Sequence, residues 1–273
     1  MEEQPQSGRT RRMGRLTEPT EEGLLTYGGY LKVAELLSLQ HLRSDPPVHD
    51  EMLFIVVHQA YELWFKQLLF ELGSIRDWMV AGDTEHARHE LSRVHAIERV
   101  LIEHIDVLQT MSPQDFLEFR TLLAPASGFQ SAQFREVEFL SGLKEPRYLQ
   151  DLAATPEELA RLAKRLDEPT VWDGFVALLE RNGLPMPADE EDARRENLLR
   201  MAREAEHAAL FAVSEGLLDH DEGFAIWRSH HVLMVEREIG AKKGTGGSSG
   251  VGYLRSTLDK RFFPELWELR SFL

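Results

Sequence analysis

The chain contains no cysteine among its 273 residues. This absence excludes disulfide bridges, thiolate nucleophiles, zinc–thiolate sites and iron–sulfur clusters. Histidine is then the first residue type to consider as the ligand of a redox metal. A chain without disulfides suits a reducing compartment, so we expect a cytoplasmic protein.

Long hydrophobic runs are also missing. The longest notable one, Met52–Val57, is far shorter than the roughly 20 residues that cross a bilayer. Residues 1–23 are polar, carry four arginines and have no apolar centre, so they do not form a secretory signal. We predict a disordered tail over residues 1–20 and one domain over residues 21–273.

Positive charge is scarce. The sequence has 31 Lys and Arg against 46 Asp and Glu, a formal net charge of −15. Such a surface repels nucleic acids and anionic membranes, and we expect neither as a partner.

Strand patterns are nearly absent, and helical periodicity dominates. Asp50–Met79 is apolar on most of its circumference, which predicts a helix in the middle of a bundle. A second helix, Thr84–Gln109, carries a stripe of Leu91, Val94, Ile97, Leu101, Ile105 and Leu108. The sequence therefore predicts an all-α helical bundle.

Capping patterns mark further helices. Ser112-Pro113, Thr155-Pro156 and Thr170 indicate helix starts, and the segment from Leu184 to Asp189 is expected to be a loop. The remaining predicted helices are Glu190–Glu215, Leu217–Ile239, Gly252–Lys260 and Pro264–Phe272.

His58 lies in the middle of the apolar helix, one turn after Phe54 and two turns before Phe65. Burying an imidazole without a partner is unfavourable. Two interpretations stay open: a core histidine bonded to a backbone carbonyl, or a side chain that faces a ligand.

His230 and His231 are adjacent, so they point in different directions on one helix. His231 shares a stripe with Phe224, Trp227, Met234 and Val235. If either is an interior ligand, it is His231. An imidazole among such groups suits a planar apolar cofactor such as haem, and the alternative is a satisfied core histidine.

A rival metal site is offered by His86 and His89, which share a helical face, and by the nearby His95. Their neighbours are mostly charged, which indicates a solvated face, and we expect no metal there.

The glycine-rich loop Gly244–Gly250 follows a helix and lacks a P-loop ending, so it does not predict nucleotide binding. Its composition is typical of a segment that folds over a ligand, where Thr245 would bind a polar group, or of a plain linker. Arg120, one turn after Phe116, suits a carboxylate ligand or a surface ion pair. Gly128 would let the backbone approach a ligand closely.

Several runs, in this order along the chain, resemble the tryptophan 2,3-dioxygenase family. They are Leu25–Leu31, His49–Ile55, His58–Lys66, Ser127–Ser131 and Gly244–Gly250. The resemblance covers about Leu25 to Leu273. It implies a helical bundle built round a haem pocket, a homotetramer, and a pocket completed by the N-terminal segment of a neighbouring subunit.

The resemblance also implies the roles of the histidines and their neighbours. His231 resembles the proximal ligand of a b-type haem, one per subunit, and Ser127 and Gly128 resemble cofactor contacts. His58 resembles the distal histidine that binds the indole N–H of L-tryptophan. Phe54 and Phe116 would line the indole pocket.

The same resemblance assigns the polar end of the substrate. Arg120 would pair with its carboxylate, and Thr245 would contact its ammonium and carboxylate when the glycine loop closes. Tyr27 and Tyr30 would come from the neighbouring subunit. Some relatives have tyrosine at the position of Phe116, so here the carboxylate would rest on Arg120, Thr245 and backbone amides, with a modest effect on affinity.

The implied reaction is cleavage of the indole C2–C3 bond by O2 to give N-formyl-L-kynurenine, the first step of the kynurenine pathway. A haem sensor or carrier without turnover and a cofactor-free helical interaction module are the alternative functions. Production of N-formyl-L-kynurenine would distinguish an enzyme from a haem sensor or carrier. A Soret band in the purified protein would exclude a cofactor-free interaction module.

Overall fold

A computed structural model describes residues 25–152, 154–246 and 249–273. These residues contain no strand, which confirms the predicted all-α class. The predicted tail over residues 1–20 lies outside the described part. No described helix has both the length and the apolar content to span a bilayer.

The described residues form thirteen α-helices and two 3₁₀ turns, the latter at 128–130 and 205–207. The helices are α1 (Tyr27–Leu31), α2 (Val33–Leu36), α3 (His49–Ala81), α4 (Thr84–Leu108), α5 (Pro113–Leu123), α6 (Ala132–Ser141), α7 (Tyr148–Asp151), α8 (Pro156–Asp167), α9 (Val171–Arg181), α10 (Glu191–Arg203), α11 (Ala208–Ile239), α12 (Val251–Arg255) and α13 (Pro264–Leu269).

The chain divides into two compact units, one that ends at His41 and one that comprises residues 42–273. In the first unit, the Thr26 hydroxyl caps α1 by accepting the Gly29 N–H at 3.1 Å. Its two short helices expose most of their side chains.

In the second unit, α3 and α4 form a helical hairpin. Gly82 ends α3 in the left-handed region, with φ 86°, and the Asp83 carboxylate caps α4 by accepting the His86 N–H at 3.0 Å. α3 also packs against α6 and α9, and α11 packs against α4. The predicted stripe of α4 is buried throughout, as the 3.6-residue spacing requires.

The predicted helix starts are confirmed. Ser112 caps α5 with Pro113 in its first turn. Thr155 and Glu158 form a capping box at the start of α8, and Thr170 caps α9.

The sequence predicts two helices, Glu190–Glu215 and Leu217–Ile239, with a boundary at Gly216. That boundary is wrong, because α11 runs unbroken from Ala208 to Ile239. Gly216 serves close helix packing: a Cβ there would lie 3.0 Å from Leu91 Cδ1, and its carbonyl accepts a hydrogen bond from His95 Nε2 at 2.8 Å. The break instead falls between α10 and α11, in a 3₁₀ turn.

The expectation that α3 is enclosed on all sides is also wrong for the single chain. Its partners α4, α5, α6 and α9 leave one side of the helix uncovered. On that side apolar side chains are 41–72% exposed, namely Met52, Val56, Leu63 and Phe70.

A buried polar chain fixes α11 against α4 and α6. Ser141 Oγ lies 2.9 Å from His220 Nε2, and His220 Nδ1 lies 2.5 Å from Glu98 Oε1. Burial lowers the pKa of His220 to about 4 and raises that of Glu98 well above its ordinary value. Both directions favour a neutral pair, in which the carboxyl donates to Nδ1 and Nε2–H donates to the serine. His231 follows about three helical turns later.

The next residue, Asp221, holds the C-terminal segment. Its Oδ2 accepts the backbone N–H groups of Phe262 and Phe263 at 2.8 and 3.0 Å and the indole N–H of Trp267 at 2.9 Å.

We expect Asp221→Ala to lower the free energy of unfolding by about 3–5 kcal/mol, because three buried donors lose their acceptor. Urea denaturation measures the change, and the exposed Asp219→Ala is the control. Equal midpoints for the two variants would contradict this assignment.

Candidate active site

A cavity opens between α3, α5, α6, α11 and α12. The cavity has a volume of about 310 Å³, which is in the range of small-molecule sites. Eight of the predicted site residues line this cavity: Phe54, His58, Phe116, Arg120, Ser127, Gly128, His231 and Thr245. The other two, Tyr27 and Tyr30, belong to the unit that ends at His41 and are 79% and 71% exposed.

The His58 side chain satisfies both interpretations of its sequence position. Its Nδ1 lies 2.7 Å from the Phe54 carbonyl oxygen, and its ring also borders the cavity. A carbonyl has no proton to give, so Nδ1 carries the hydrogen and Nε2 of the neutral ring is the acceptor. Burial lowers the pKa of His58, which keeps the ring neutral at pH 7. The cavity wall therefore contains a histidine able to accept one hydrogen bond.

Aromatic rings continue this wall. Phe54 stacks on Phe116 with ring centroids 5.8 Å apart and planes at 23°. Phe119, fully buried, meets both rings edge-on at 5.6 and 5.5 Å. Such a wall suits a flat apolar group.

The His231 side chain borders the same cavity from α11. Its ring stacks on Trp227, with centroids 5.0 Å apart and planes at 17°. No described residue hydrogen-bonds to either of its ring nitrogens. Burial lowers its pKa to about 4, so the imidazole is neutral at pH 7, the form that ligates a metal. His230 is exposed, so the sequence argument selected the histidine that faces the interior.

Part of the cavity wall is charged. Glu138 receives hydrogen bonds from Arg135 at 2.7 Å and from Arg228 at 3.0 Å, and all three side chains are buried. Two guanidinium groups share one carboxylate, and the Arg135 Nε–H has no partner in the described part of the chain. This part of the wall can therefore accept an anionic group of a ligand.

Sequence reasoning missed these three residues. A signal was present: Arg135 and Glu138 are spaced i, i+3 on α6, and Arg228 lies one turn before His231. A fourth missed residue is Glu238, 6% exposed on the cavity wall. Neither of its carboxylate oxygens has a partner among the described residues, and burial raises its pKa.

The first part of the glycine loop, residues 244–246, packs against residues 125–127. Thr245 Oγ1 donates to the Ala126 carbonyl at 2.6 Å, and Arg120 Nη2 donates to the Lys243 carbonyl. Arg120 is half-buried and has no other hydrogen-bond partner in the described part of the chain. Its remaining donors are thus available to a ligand.

Gly246 makes this packing possible, because a Cβ at this position would lie 2.7 Å from Ser127 Cβ. We expect Gly246→Ala to lift the loop and to raise KM by about tenfold, equivalent to about 1.4 kcal/mol. Steady-state kinetics measure this effect. Gly73→Ala is the control, since nothing lies within 4 Å of its added Cβ. A KM for Gly246→Ala equal to that of the control would exclude a role of loop packing in binding.

The histidines of the rival site do not converge. His86 Nδ1 lies 2.7 Å from the Asp83 carboxylate, and its ring stacks on Trp78 at 4.4 Å. His95 turns instead to the Gly216 carbonyl, and His89 is exposed.

Comparison with known proteins agrees with this geometry. The family model described as tryptophan 2,3-dioxygenase matches residues 15–187 and 192–273. Three of the curated relatives that carry the name tryptophan 2,3-dioxygenase illustrate the similarity. They come from a Nocardioides species (58% identical; 90% of this chain and 94% of the relative), Herpetosiphon aurantiacus (48%; 90% and 98%) and Myxococcus xanthus (43%; 91% and 90%).

The matched segments contain every residue that lines the cavity, so the similarity extends over the site as well as the scaffold. Both comparisons show that the chain belongs to the tryptophan 2,3-dioxygenase family.

Proposed function

We propose that this protein is a haem-dependent dioxygenase that cleaves the C2–C3 bond of the indole ring of L-tryptophan with O2 and releases N-formyl-L-kynurenine. One observation carries the proposal. His231 is a neutral histidine whose ring nitrogens have no hydrogen-bond partner among the described residues. It borders the same cavity as the acceptor nitrogen of His58 and the available donors of Arg120.

The residues present fit a haem b group, one per subunit. His231 would ligate the iron, and Trp227 beneath its ring fixes the orientation of the imidazole. Arg135 and Arg228 would stabilise the carboxylates of the porphyrin, since together they exceed the charge of Glu138. Ser127 and Gly128, on the loop edge of the cavity, would contact the rim of the macrocycle. When bound, the haem iron supplies the binding and activation of O2.

The chain's own side chains hold the substrate. The indole ring lies against Phe54 and Phe116, and its N–H donates to His58 Nε2. The carboxylate pairs with Arg120, and Thr245 lies near the ammonium group. Residues 244–246, which pack against residues 125–127, would exclude water, which strengthens these polar contacts. Three fixed points define the pose, so the reacting ring bond is held in one place.

His58 orients the indole and is not required as a base, because the indole proton is very weakly acidic. We expect His58→Ala to keep measurable turnover but to raise KM by about tenfold, the effect of losing one neutral hydrogen bond. Steady-state kinetics on L-tryptophan check this prediction.

The matched control is 1-methyltryptophan, which has no indole N–H to donate. The parent and His58→Ala should use it with similar KM values. If the variant bound L-tryptophan as tightly as the parent does, the assigned contact would be wrong.

We further propose a cytoplasmic homotetramer in which Tyr27 and Tyr30 enter the cavity of a neighbouring subunit. Both rings are exposed, and so is the apolar side of α3. Exposed apolar surfaces of this kind are typical of protein interfaces.

The experiment that tests the function is direct. The reduced, haem-loaded protein is mixed with L-tryptophan and O2, and N-formyl-L-kynurenine is identified by absorbance and mass. Multiple turnovers are expected. A protein that binds haem and O2 but forms no product would instead be a sensor or carrier.

A further inference from the structure

A second group of candidate ligands lies outside the cavity, at the turn between α10 and α11. Glu204, Glu206 and His207 each place one potential ligand atom there, all within 4.8 Å of one another. His207 Nε2 is 3.4 Å from a Glu204 oxygen and 3.6 Å from a Glu206 oxygen. The proposed dioxygenase chemistry uses none of these groups.

His207 is the unusual member of the group. It is 7% exposed, yet its Nε2 has no hydrogen-bond partner among the described residues. Buried imidazole nitrogens are normally satisfied by a donor or an acceptor. The 3₁₀ turn from Ala205 to His207 places this nitrogen beside the carboxylates of Glu204 and Glu206. The imidazole nitrogen that lacks a hydrogen-bond partner therefore faces both of them.

The separations match a metal coordination shell. Ligand bonds of about 2.1 Å in tetrahedral geometry place neighbouring donor atoms about 3.4 Å apart. Arg200 Nε holds the other oxygen of Glu204 at 3.3 Å, which leaves the oxygen that faces His207 in a fixed position. Glu206 is 74% exposed in its side chain, so an ion and its water ligands can reach the group.

We propose that Glu204, Glu206 and His207 bind one divalent transition-metal ion of the zinc type, with water completing the shell. A mixed imidazole and carboxylate donor set suits Zn²⁺, whereas Mg²⁺ and Ca²⁺ take oxygen ligands. The ion joins the end of α10 to the start of α11 and stabilises that junction. Because His231 lies 24 residues further along α11, about 36 Å away, turnover is unaffected.

The test is equilibrium dialysis of the haem-loaded full chain against Zn²⁺, followed by metal analysis. Compared with the parent, Glu206→Gln and His207→Gln should each lose one bound Zn²⁺ per chain, or bind it more than about tenfold more weakly. His86→Gln is the matched control, since His86 pairs with a single carboxylate at 2.7 Å. Zinc should also raise the Tm of the parent and of this control more than that of the two cluster variants.

Equal zinc stoichiometry and affinity in the parent and Glu206→Gln would overturn the proposal, and the three side chains would then form only an ion-pair network. This variant decides the matter even if His207→Gln fails to fold, because Glu206 is largely exposed. Loss of zinc in His86→Gln, with retention in Glu206→Gln, would overturn it equally and place the ion at Asp83.

Discussion

Replacing His231 with glycine should abolish stable haem binding and lower turnover by more than about 100-fold. Loss of even an outer partner of a metal ligand costs 10–100-fold, and His231 is assigned as the ligand itself. The cavity left by the ring is lined by Trp227 and apolar side chains, so added imidazole should enter it and restore part of the haem spectrum and activity. Soret absorbance and turnover, with and without imidazole, measure both effects.

The adjacent residue provides the control. His230 is exposed on the other side of α11, and His230→Gly removes the same ring from the same turn of helix. It should leave haem content and turnover unchanged. If His231→Gly retained the haem and the turnover of the parent, the ligand assignment would fail, and with it the proposed cofactor site.

Arg120→Leu should raise KM for L-tryptophan by about 100-fold, equivalent to about 2.7 kcal/mol. This loss of binding free energy lies near the lower end of the range for a truncated charge pair, because Arg120 is only half-buried. Arg120→Lys should be intermediate, since an ammonium cannot form the two parallel hydrogen bonds of a guanidinium. Steady-state kinetics on the three proteins measure the series.

A second substrate separates two causes of this loss. Arg120 also donates to the Lys243 carbonyl, so its removal could loosen the glycine loop. Tryptamine has the indole and the amine but no carboxylate. A looser loop would weaken both substrates, whereas loss of the carboxylate pair weakens tryptophan alone. An unchanged KM for tryptophan in Arg120→Leu would remove this residue from the site.

Much of the fold follows from local pattern. The stripe of α4 and the caps at Ser112, Thr155 and Thr170 depend on contacts within one or two helical turns, and a single sequence displays such contacts. Gly216 shows where this reasoning fails. A glycine that ends a helix and a glycine that lets two helices approach look alike in sequence, and only the position of Leu91 across the interface distinguishes them.

The candidate site also combines features that local sequence patterns reveal with features that depend on distant contacts. His231 and His230 lie on one helix and point in different directions. The apolar stripe of α11 therefore identifies His231 as the interior histidine. The spacing of Arg135 and Glu138 is local, i, i+3, and the sequence displays it. The hydrogen bond from Arg228 to Glu138 joins positions 90 residues apart, so no local pattern reveals it. The exposed side of α3 was missed because residue composition reports how apolar a helix is but not which neighbours the fold provides.

The most direct test of the central claim is an isotope experiment on the purified, reduced holoprotein with L-tryptophan under ¹⁸O2. We expect N-formyl-L-kynurenine that carries two labelled oxygen atoms, formed with consumption of equimolar O2. A product with one labelled atom, or no ring-opened product from a protein that holds haem, would contradict it.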